Sequence, residues 1–305
     1  MKPPKKLKTI LETTVAMLVS IGILAFPAFA EVEQKVDLRW RGCGITKKAF
    51  MAEAAQAYKK KTGKVISLKG GGATLGIRTA AAGDADIGGA CRPAKPELSD
   101  MEKGVRMTHV GWDAVVAMVH PDNPVDNLTR EQLFKIMKGE IRNWSEVGGT
   151  NDPIAVVVRR GRINGVGYMA RRMLFNDSKA SFYRRAINLK SSAPVEQKVE
   201  KRKDAIGLSG VSSARRRKVK LVALDGVAPT KANVASGSYP FFRPLYLVTK
   251  GEPRGEVKSF LDWLLSPEGQ QLVSEQHTVN LKEGESLVSK FKHWENTELI
   301  MNYQN

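Results

Sequence analysis

Three segments of the sequence share one design, in which a short β-rich run ends in glycines and a helical run follows. They are residues 42–46 (GCGIT), 70–74 (GGGAT) and 160–166 (RGRINGV). This alternation predicts an α/β fold whose strands are mostly parallel. The first backbone N–H groups of a helix carry partial positive charge and lack intrahelical partners, so each segment can hold part of an anion. Three such segments in one chain favour a single anion site on which they converge.

Local patterns predict the strands and helices around these segments. The predicted strands are residues 36–40, 64–68, 86–90, 107–119, 154–158 and 245–248. Thr46 is the predicted cap of the first helix, which ends at Gly63. Thr129 with Gln132 predicts a capping box for a helix over residues 131–137. Further helices are predicted through residues 169–175, over residues 257–265, and from Ser266 onward, where a cap, a proline and an acid follow one another.

The first 30 residues have the pattern of a cleaved secretory signal. Lysines at positions 2, 5, 6 and 8 precede an apolar stretch at residues 15–26, and Ala28-Phe29-Ala30 provides a small-x-small cleavage site. An uncleaved membrane anchor is the alternative, but the apolar stretch is short and Pro27 interrupts it. We therefore expect cleavage after Ala30 and a periplasmic protein.

The charge balance indicates anionic partners. The chain has 49 Lys and Arg residues against 31 Asp and Glu residues, a net charge of +18. A periplasmic protein meets little nucleic acid, so small anions are favoured and no nucleic-acid partner is expected. The basic run at residues 215–218 (RRRK) is interpreted as a solvated loop, and a polyanion-binding surface is the alternative.

Features typical of enzymes are missing from the sequence. The four histidines show no metal-ligand spacing, and no glycine-flanked serine resembles a nucleophile elbow. We therefore expect no catalytic activity, no metal and no cofactor.

Cys43 and Cys91 are the two cysteines of the chain. Cys43 lies in the first glycine segment, and Cys91 follows the strand predicted at residues 86–90. Three interpretations stay open: a disulfide, favoured by an oxidising compartment; two inert buried thiols; or a thiol site for a soft ion, which needs a third ligand that the sequence does not indicate.

Longer motifs resemble one family. Residues 84–93 read DADIGGACRP, residues 120–149 read HPDNPVDNLTREQLFKIMKGEIRNWSEVGG, and LDGVAPT, SGSYP and RPLYLV follow at residues 224–230, 236–240 and 243–248. These runs are similar to those of the periplasmic phosphate-binding proteins of ABC importers. The resemblance extends over nearly all of the chain from the predicted cleavage site to about residue 280.

The resemblance implies a type II periplasmic binding protein fold. Two lobes, each a mixed sheet flanked by helices, would enclose a ligand cleft. Residues 31–118 with 222–282 would form lobe I, residues 119–221 lobe II, and residues 283–305 a C-terminal extension that we interpret as a surface helix containing Phe291 and Trp294. The implied function is capture of phosphate or a related inorganic oxyanion by a monomer that delivers it to an ABC permease of the inner membrane.

The resemblance also implies a set of ligand-binding residues. Thr46 matches a family threonine, Arg160 matches the arginine three residues before a Gly-Ser-Gly-Thr motif, and the amides of Gly44, Ile45 and Gly165 would surround the anion. The complete predicted set is Cys43, Gly44, Ile45, Thr46, Ala73, Thr74, Cys91, Arg92, Arg160, Asn164, Gly165 and Val166.

The chain departs from the family pattern at several of these positions. Ala73 and Val166 lack the hydroxyls that relatives use, Cys91 replaces an aspartate or serine, and Arg162 stands where the family often has an acid. A thiol is a poor proton acceptor, so these changes favour more strongly charged anions such as sulfate. An alternative function follows from the cysteines: a periplasmic sensor or carrier of a thiophilic species such as arsenite, bound by Cys43 and Cys91.

Overall fold

The computed structural model describes residues 35–292. The predicted signal sequence, its cleavage site after Ala30, and Trp294 of the predicted C-terminal helix lie outside the described residues. Within residues 35–292, no helix has the length and apolar character needed to cross a membrane.

Strands and helices alternate along most of the described chain. The strands are β1 (Leu38–Gly42), β2 (Ile66–Gly70), β3 (Ile87–Ala90), β4 (Val105–Val119), β5 (Asn127–Leu128), β6 (Ala155–Arg159), β7 (Ile187–Leu189), β8 (Ala205–Gly210), β9 (Lys220–Leu221), β10 (Ala223–Leu224), β11 (Phe242–Lys250) and β12 (Val279–Asn280). The helices are α1 (Gly44–Thr46), continued by a π-helical turn (Lys47–Met51) into α2 (Ala52–Thr62), then α3 (Ala73–Ala82), α4 (Arg130–Lys138), α5 (Gly165–Phe175), α6 (Ser192–Glu200), α7 (Val211–Ala214), α8 (Lys231–Ser236), α9 (Gly255–Leu265) and α10 (Pro267–Glu275). Short 3-10 helices lie at Asp100–Glu102 and Trp144–Val147.

Ten of these strands form one mixed sheet in the order β2-β1-β3-β11-β4-β8-β6-β7, with β9 and β12 also paired to β4. Strand β4 is shared between two groups, because its first part pairs with β11 and β12 and its last part, from Val115, pairs with β8 and β9. The α/β class and the mixed sheet are confirmed. Parallel pairing occurs within β2-β1-β3, within β8-β6-β7, and between β5 and β10, which form a separate two-stranded sheet. The expectation of mostly parallel strands was wrong for β4 and β11, which pair antiparallel with their neighbours.

Several local signals are confirmed by the structure. Thr129 caps α4 in a capping box with Gln132, and Gly63 ends α2 with a left-handed φ of 76°. The side chain of Ser266 accepts a hydrogen bond from the backbone of Gly269 and so caps α10. Strand ends differ by one to three residues from those predicted, since hydrogen-bond pairing across the sheet decides where a strand ends.

Helix α3 packs directly on the sheet backbone. An added Cβ at Gly76 would lie 2.6 Å from the carbonyl oxygen of Gly89 and 2.9 Å from that of Arg41. A larger residue would push the helix outward. This close approach places the start of α3 beside the carboxyl ends of β1 and β3, where β1 leads to Cys43 and β3 leads to Cys91.

The division into two lobes stays a prediction, and the strand groups on either side of β4 are compatible with it. The start of the predicted C-terminal extension, however, belongs to the packed structure. Phe291 is buried, with its ring centroid 5.9 Å from that of Trp112. Residues 287–292 are helical and residues 288–290 are exposed, so Phe291 lies on the inward face of a helix at the surface, where it packs against Trp112.

Candidate functional site

The first glycine segment begins its helix at Cys43. This residue has extended backbone geometry, and its sulfur accepts a hydrogen bond from the backbone of Thr46 at 3.3 Å. Thr46 lies inside the helix, and its hydroxyl donates to the carbonyl oxygen of Ala90 at 3.2 Å. The prediction that Thr46 caps the helix was wrong, since Cys43 takes the position where Ser, Thr, Asn or Asp usually caps.

Cys91 lies beside Cys43, and both are buried. Strands β1 and β3 are parallel with Gly42 opposite Gly89, so the two cysteines follow adjacent strand ends. Each thiol changes the pKa of the other. Burial, followed by contact with Cys91, raises the pKa of the Cys43 thiol well above its ordinary value. The hydrogen bond with Cys43 and the nearby charge of Arg243 lower the pKa of Cys91, so Cys91 is the thiol that ionises first.

The starts of α3 and α5 meet at Cys91. An added Cβ at Gly165, the first residue of α5, would lie 2.4 Å from the sulfur of Cys91 and 3.1 Å from the Cβ of Ala73, the first residue of α3. Asn164 caps α5, because its side-chain oxygen accepts from the backbone of Gly167 at 2.8 Å. The second and third glycine segments therefore converge on one point, as the sequence predicted, and Cys43 reaches the same point from the first segment.

A buried ion pair lies beside Ile45 of the first glycine segment. Arg243 of β11 and Asp113 of β4 face each other in the antiparallel register, with Nη2 of Arg243 2.8 Å from Oδ2 of Asp113 and both side chains fully buried. Asp113 also accepts from the backbone and hydroxyl of Ser212, at 3.0 and 2.6 Å. Nη1 of Arg243 is buried and has no hydrogen-bond partner among residues 35–292. This nitrogen is therefore a positively charged hydrogen-bond donor that is available for a ligand.

A second guanidinium near the cysteines belongs to Arg159. An added Cβ at Gly72 would lie 2.5 Å from Nη2 of Arg159, so the guanidinium lies against the start of α3. Its charge also contributes to lowering the pKa of Cys91. Arg160, the arginine of the predicted set, is exposed, and its carbonyl oxygen accepts from the side chain of Asn164 at 2.8 Å. Successive side chains of a strand point to opposite faces, so Arg159 and Arg160 cannot share this position.

Arg92 and Thr74 connect the second and third glycine segments. Arg92 donates to both carboxylate oxygens of Glu102, at 2.7 and 2.8 Å, and also to Thr74, to the carbonyl oxygen of Pro93 and to that of Ile163. These contacts use the five donors of the guanidinium. Thr74 donates to Ile163 as well, at 2.9 Å. Arg92 and Thr74 therefore position the loops, and the donors of Arg92 are already occupied.

The structure brings most of the predicted site residues together. The buried members of the predicted set are Cys43, Ile45, Thr46, Ala73, Cys91, Arg92, Asn164, Gly165 and Val166, while Thr74 is half-buried and Gly44 and Arg160 are exposed. Sequence reasoning missed Arg159, Arg243 and Asp113. A signal for the last two is present in the sequence: Asp113 is the one acidic residue of β4, Arg243 lies inside the largely apolar β11, and the charges are opposite.

The basic run at residues 215–218 is occupied by contacts within the chain. Arg215 donates to the carbonyl oxygens of Gln276 and His277, and Arg216 donates to that of Lys48 at 2.8 Å. Arg217 lies 3.4 Å from Glu196. These contacts favour the structural interpretation of the run over a polyanion-binding surface.

Comparison with protein families decides the assignment. The family model described as "PBP superfamily domain" matches residues 45–268, more than half of the chain. The chain belongs to the PBP superfamily. It has the α/β fold of the type II periplasmic binding proteins, and within the superfamily it is PstS-like.

Individual relatives agree with this assignment. The phosphate-binding protein PstS of Bacillus subtilis is 28% identical over 246 residues, which cover 80% of this chain and 81% of that protein. The PstS protein of Borreliella burgdorferi is 28% identical over 191 residues, covering 60% and 68%. A solved structure of a putative phosphate ABC transporter substrate-binding protein with bound phosphate, from Clostridium perfringens, has a TM-score of 0.73 and 30% identity, and covers 80% of this chain and 98% of that one. These relatives are named for binding and transport, and none of the three is named as an enzyme.

Proposed function

We propose that this PBP-superfamily protein is the substrate-binding component of an ABC importer and captures inorganic phosphate or a closely related tetrahedral oxyanion. The names of its PstS relatives support the transport role. The composition of the site supports the ligand class, since helix starts and guanidinium groups surround it. We also propose that the mature protein is a periplasmic monomer, cleaved after Ala30, that delivers its ligand to an inner-membrane permease.

The observation that carries the proposal is the unpartnered nitrogen of Arg243 beside the first glycine segment, since an added Cβ at Gly210 would lie 2.6 Å from Nη2 of Arg243 and 2.8 Å from Cγ2 of Ile45. Arg243 is held by Asp113, so its position is fixed before any ligand arrives. A charged donor fixed in a buried site binds an anion without reorganisation, and hydrogen bonds to charged groups are about twice as strong as neutral ones. The starts of α3 and α5 add backbone N–H groups beside Cys91.

Arg243 and Arg159 are the proposed charged contacts. Arg160 was predicted for this role, but its side chain is exposed while that of Arg159 lies beside Gly72. The amides at the starts of α1, α3 and α5 would bind further oxygens. Closure of the two predicted lobes over the anion would exclude water and strengthen each of these contacts.

Within the described part of the chain, the site offers no free carboxylate to accept a proton from the ligand. The carboxylate of Asp113 is occupied by Arg243 and by the backbone and hydroxyl of Ser212. We therefore expect weaker discrimination between monohydrogen phosphate and sulfate than a free carboxylate would give. The arsenite alternative lacks a third ligand: among residues 35–292, no group of three or more His, Cys, Asp or Glu side chains could hold a metal ion.

Calorimetric titration of residues 31–305, kept reduced, tests this function. We expect saturable one-to-one binding of phosphate and arsenate, with sulfate and molybdate as the comparison ligands. Replacing Arg106 with Ala is the matched control, because Arg106 forms an exposed ion pair with Glu252 and should leave binding unchanged. Absence of binding to all four oxyanions would refute the proposed function, and tight binding of arsenite alone would replace it with the thiophilic one.

A further inference from the structure

We propose that Cys43 and Cys91 are a redox site: they form a reversible disulfide where the starts of α3 and α5 meet, and this disulfide increases the affinity of the site for oxyanions. The disulfide part of this proposal stands on the geometry of the cysteines alone. The affinity part rests on the proposed function of the site. The two parts have separate readouts below, so the failure of one can be distinguished from the failure of the other.

The strand register brings the two cysteines within reach of a disulfide. Gly42 of β1 lies opposite Gly89 of β3, so Cys43 is level with Ala90 and one residue short of Cys91. Adjacent strands are about 4.8 Å apart and rise about 3.3 Å per residue, which gives a Cα separation of roughly 6 Å. Disulfides span Cα separations of about 4.4–6.8 Å. This separation lies within that range, so the bond needs little movement of the backbone.

The surroundings assign different roles to the two thiols. The interaction with Cys43 and the charges of Arg243 and Arg159 lower the pKa of Cys91 and so favour its thiolate. Cys43 is buried beside Cys91 and Thr46, and it keeps its proton to a higher pH. Cys91 is therefore the attacking thiolate and Cys43 is the resolving thiol.

A low-molecular-weight disulfide such as oxidised glutathione is the proposed oxidant. The Cys91 thiolate attacks one glutathione sulfur, the glutathione S–S bond breaks, and the first glutathione leaves as a thiolate that takes up a proton. Cys43 then loses its proton and attacks the sulfur of Cys91, which releases the second glutathione. Two protein thiols are oxidised, and one glutathione disulfide is reduced to two thiols.

Oxidation changes the charge at the point where the helices converge. In the reduced protein, the sulfur of Cys91 lies against Gly165 at the start of α5. The lowered pKa of this thiol favours the thiolate, which would be a negative group within the anion site. A ligand anion has to approach this thiolate, and like charges repel strongly in a buried site. The disulfide is neutral and leaves the charge of Arg159 and the helix starts for the ligand. We expect roughly ten- to hundredfold tighter phosphate binding by the oxidised protein.

Access to the thiols links the redox reaction to ligand binding. Both sulfurs are buried, so glutathione reaches Cys91 only when the structure around the site opens. Phosphate that stabilises the closed form should therefore slow the formation of the disulfide. The same anion should slow reduction of the disulfide once it has formed.

The test equilibrates residues 31–305 with glutathione buffers of increasing oxidised fraction, alkylates the free thiols after denaturation, and counts the alkyl groups by mass. We expect the two thiols to be lost together, without intermolecular crosslinks, and the phosphate Kd of the oxidised form to fall at least about tenfold. Two free thiols in every buffer, or crosslinked dimers, would overturn the disulfide. Equal phosphate affinities for the reduced and oxidised forms would overturn the redox control.

Cys43→Ser and Cys91→Ser are the matched variants. Serine preserves the cap at position 43, and neither variant can close the internal disulfide, so the dependence of phosphate affinity on the glutathione buffer should vanish in both. Cys91→Ser lacks the thiolate and should bind phosphate about as tightly as the oxidised protein. If no form, Cys91→Ser included, binds phosphate, the proposed function and the redox control both fail, while the alkylation result still decides the disulfide.

Discussion

Replacing Arg243 with Met is expected to lower the free energy of unfolding by about 3–5 kcal/mol and to abolish measurable phosphate binding. The stability loss arises because Asp113 stays buried and charged after its guanidinium partner is removed. The binding loss arises because Arg243 supplies the unpartnered buried donor of the site. Urea denaturation and calorimetric titration measure the two effects separately.

A double variant separates stability from binding in this prediction. Adding Asp113→Asn to Arg243→Met removes the unpaired charge, so much of the lost stability should return, whereas phosphate binding should not. Arg39→Met is the matched control: Arg39 pairs with Asp86 at 3.0 Å on the exposed surface, and such pairs contribute less than about 1 kcal/mol. Recovery of phosphate binding in the double variant would show that Arg243 acts only on the fold.

Replacing Arg159 with Ala is expected to weaken phosphate binding roughly 10- to 100-fold, while replacing Arg160 with Ala should change it less than about twofold. Arg159 lies against the start of α3, and Arg160 is exposed. Arg159 makes one long hydrogen bond, 3.4 Å to the carbonyl oxygen of Lys190, so its removal should leave the unfolding free energy within about 0.5 kcal/mol. Titration of both variants under reducing conditions provides the measurement.

The two adjacent arginines make this comparison internally controlled, since each variant loses one positive charge. A general effect of net charge would weaken binding equally in both. The opposite ranking, in which Arg160→Ala weakens binding more than Arg159→Ala, would restore the sequence-based prediction and contradict the geometry of the site.

Local sequence signals predicted a large part of the fold because they depend on near neighbours. The capping box at Thr129, the glycine that ends α2 and the three glycine segments each reflect contacts within a few residues. Convergence of the first two segments was also predictable, since β1 and β2 are parallel and bring their carboxyl ends to one edge of the sheet. The third segment follows β6, which runs antiparallel to them, so its approach depends on the long-range topology. The resemblance of longer motifs then predicted the type II periplasmic binding protein fold.

Long-range pairing explains what the sequence did not reveal. The pairing of Arg243 with Asp113 depends on the register between β11 and β4, which joins residues 130 positions apart. The choice between Arg159 and Arg160 depends on a single residue at the end of β6. The predicted strand ended at residue 158, whereas the structure continues it to Arg159, which decides the face on which each side chain lies.

Cys43 shows a different limit of sequence reasoning. Cysteine is not among the preferred helix caps, so the hydroxyl of Thr46 was the better candidate from local rules. The structure uses the sulfur because the register of β1 with β3 places position 43 in the buried contact with Cys91. The family resemblance implies hydroxyl groups in this site, whereas this chain has a pair of buried thiols there.

A crystal structure of the protein with arsenate, located by its anomalous scattering, tests the central claim most directly. We expect one arsenic position, with an arsenate oxygen about 3 Å from Nη1 of Arg243 and other oxygens facing the first amides of α3 and α5. Arsenic bound elsewhere on the surface, or bound directly to the sulfurs of Cys43 and Cys91 instead of to the guanidinium, would contradict the proposed oxyanion site.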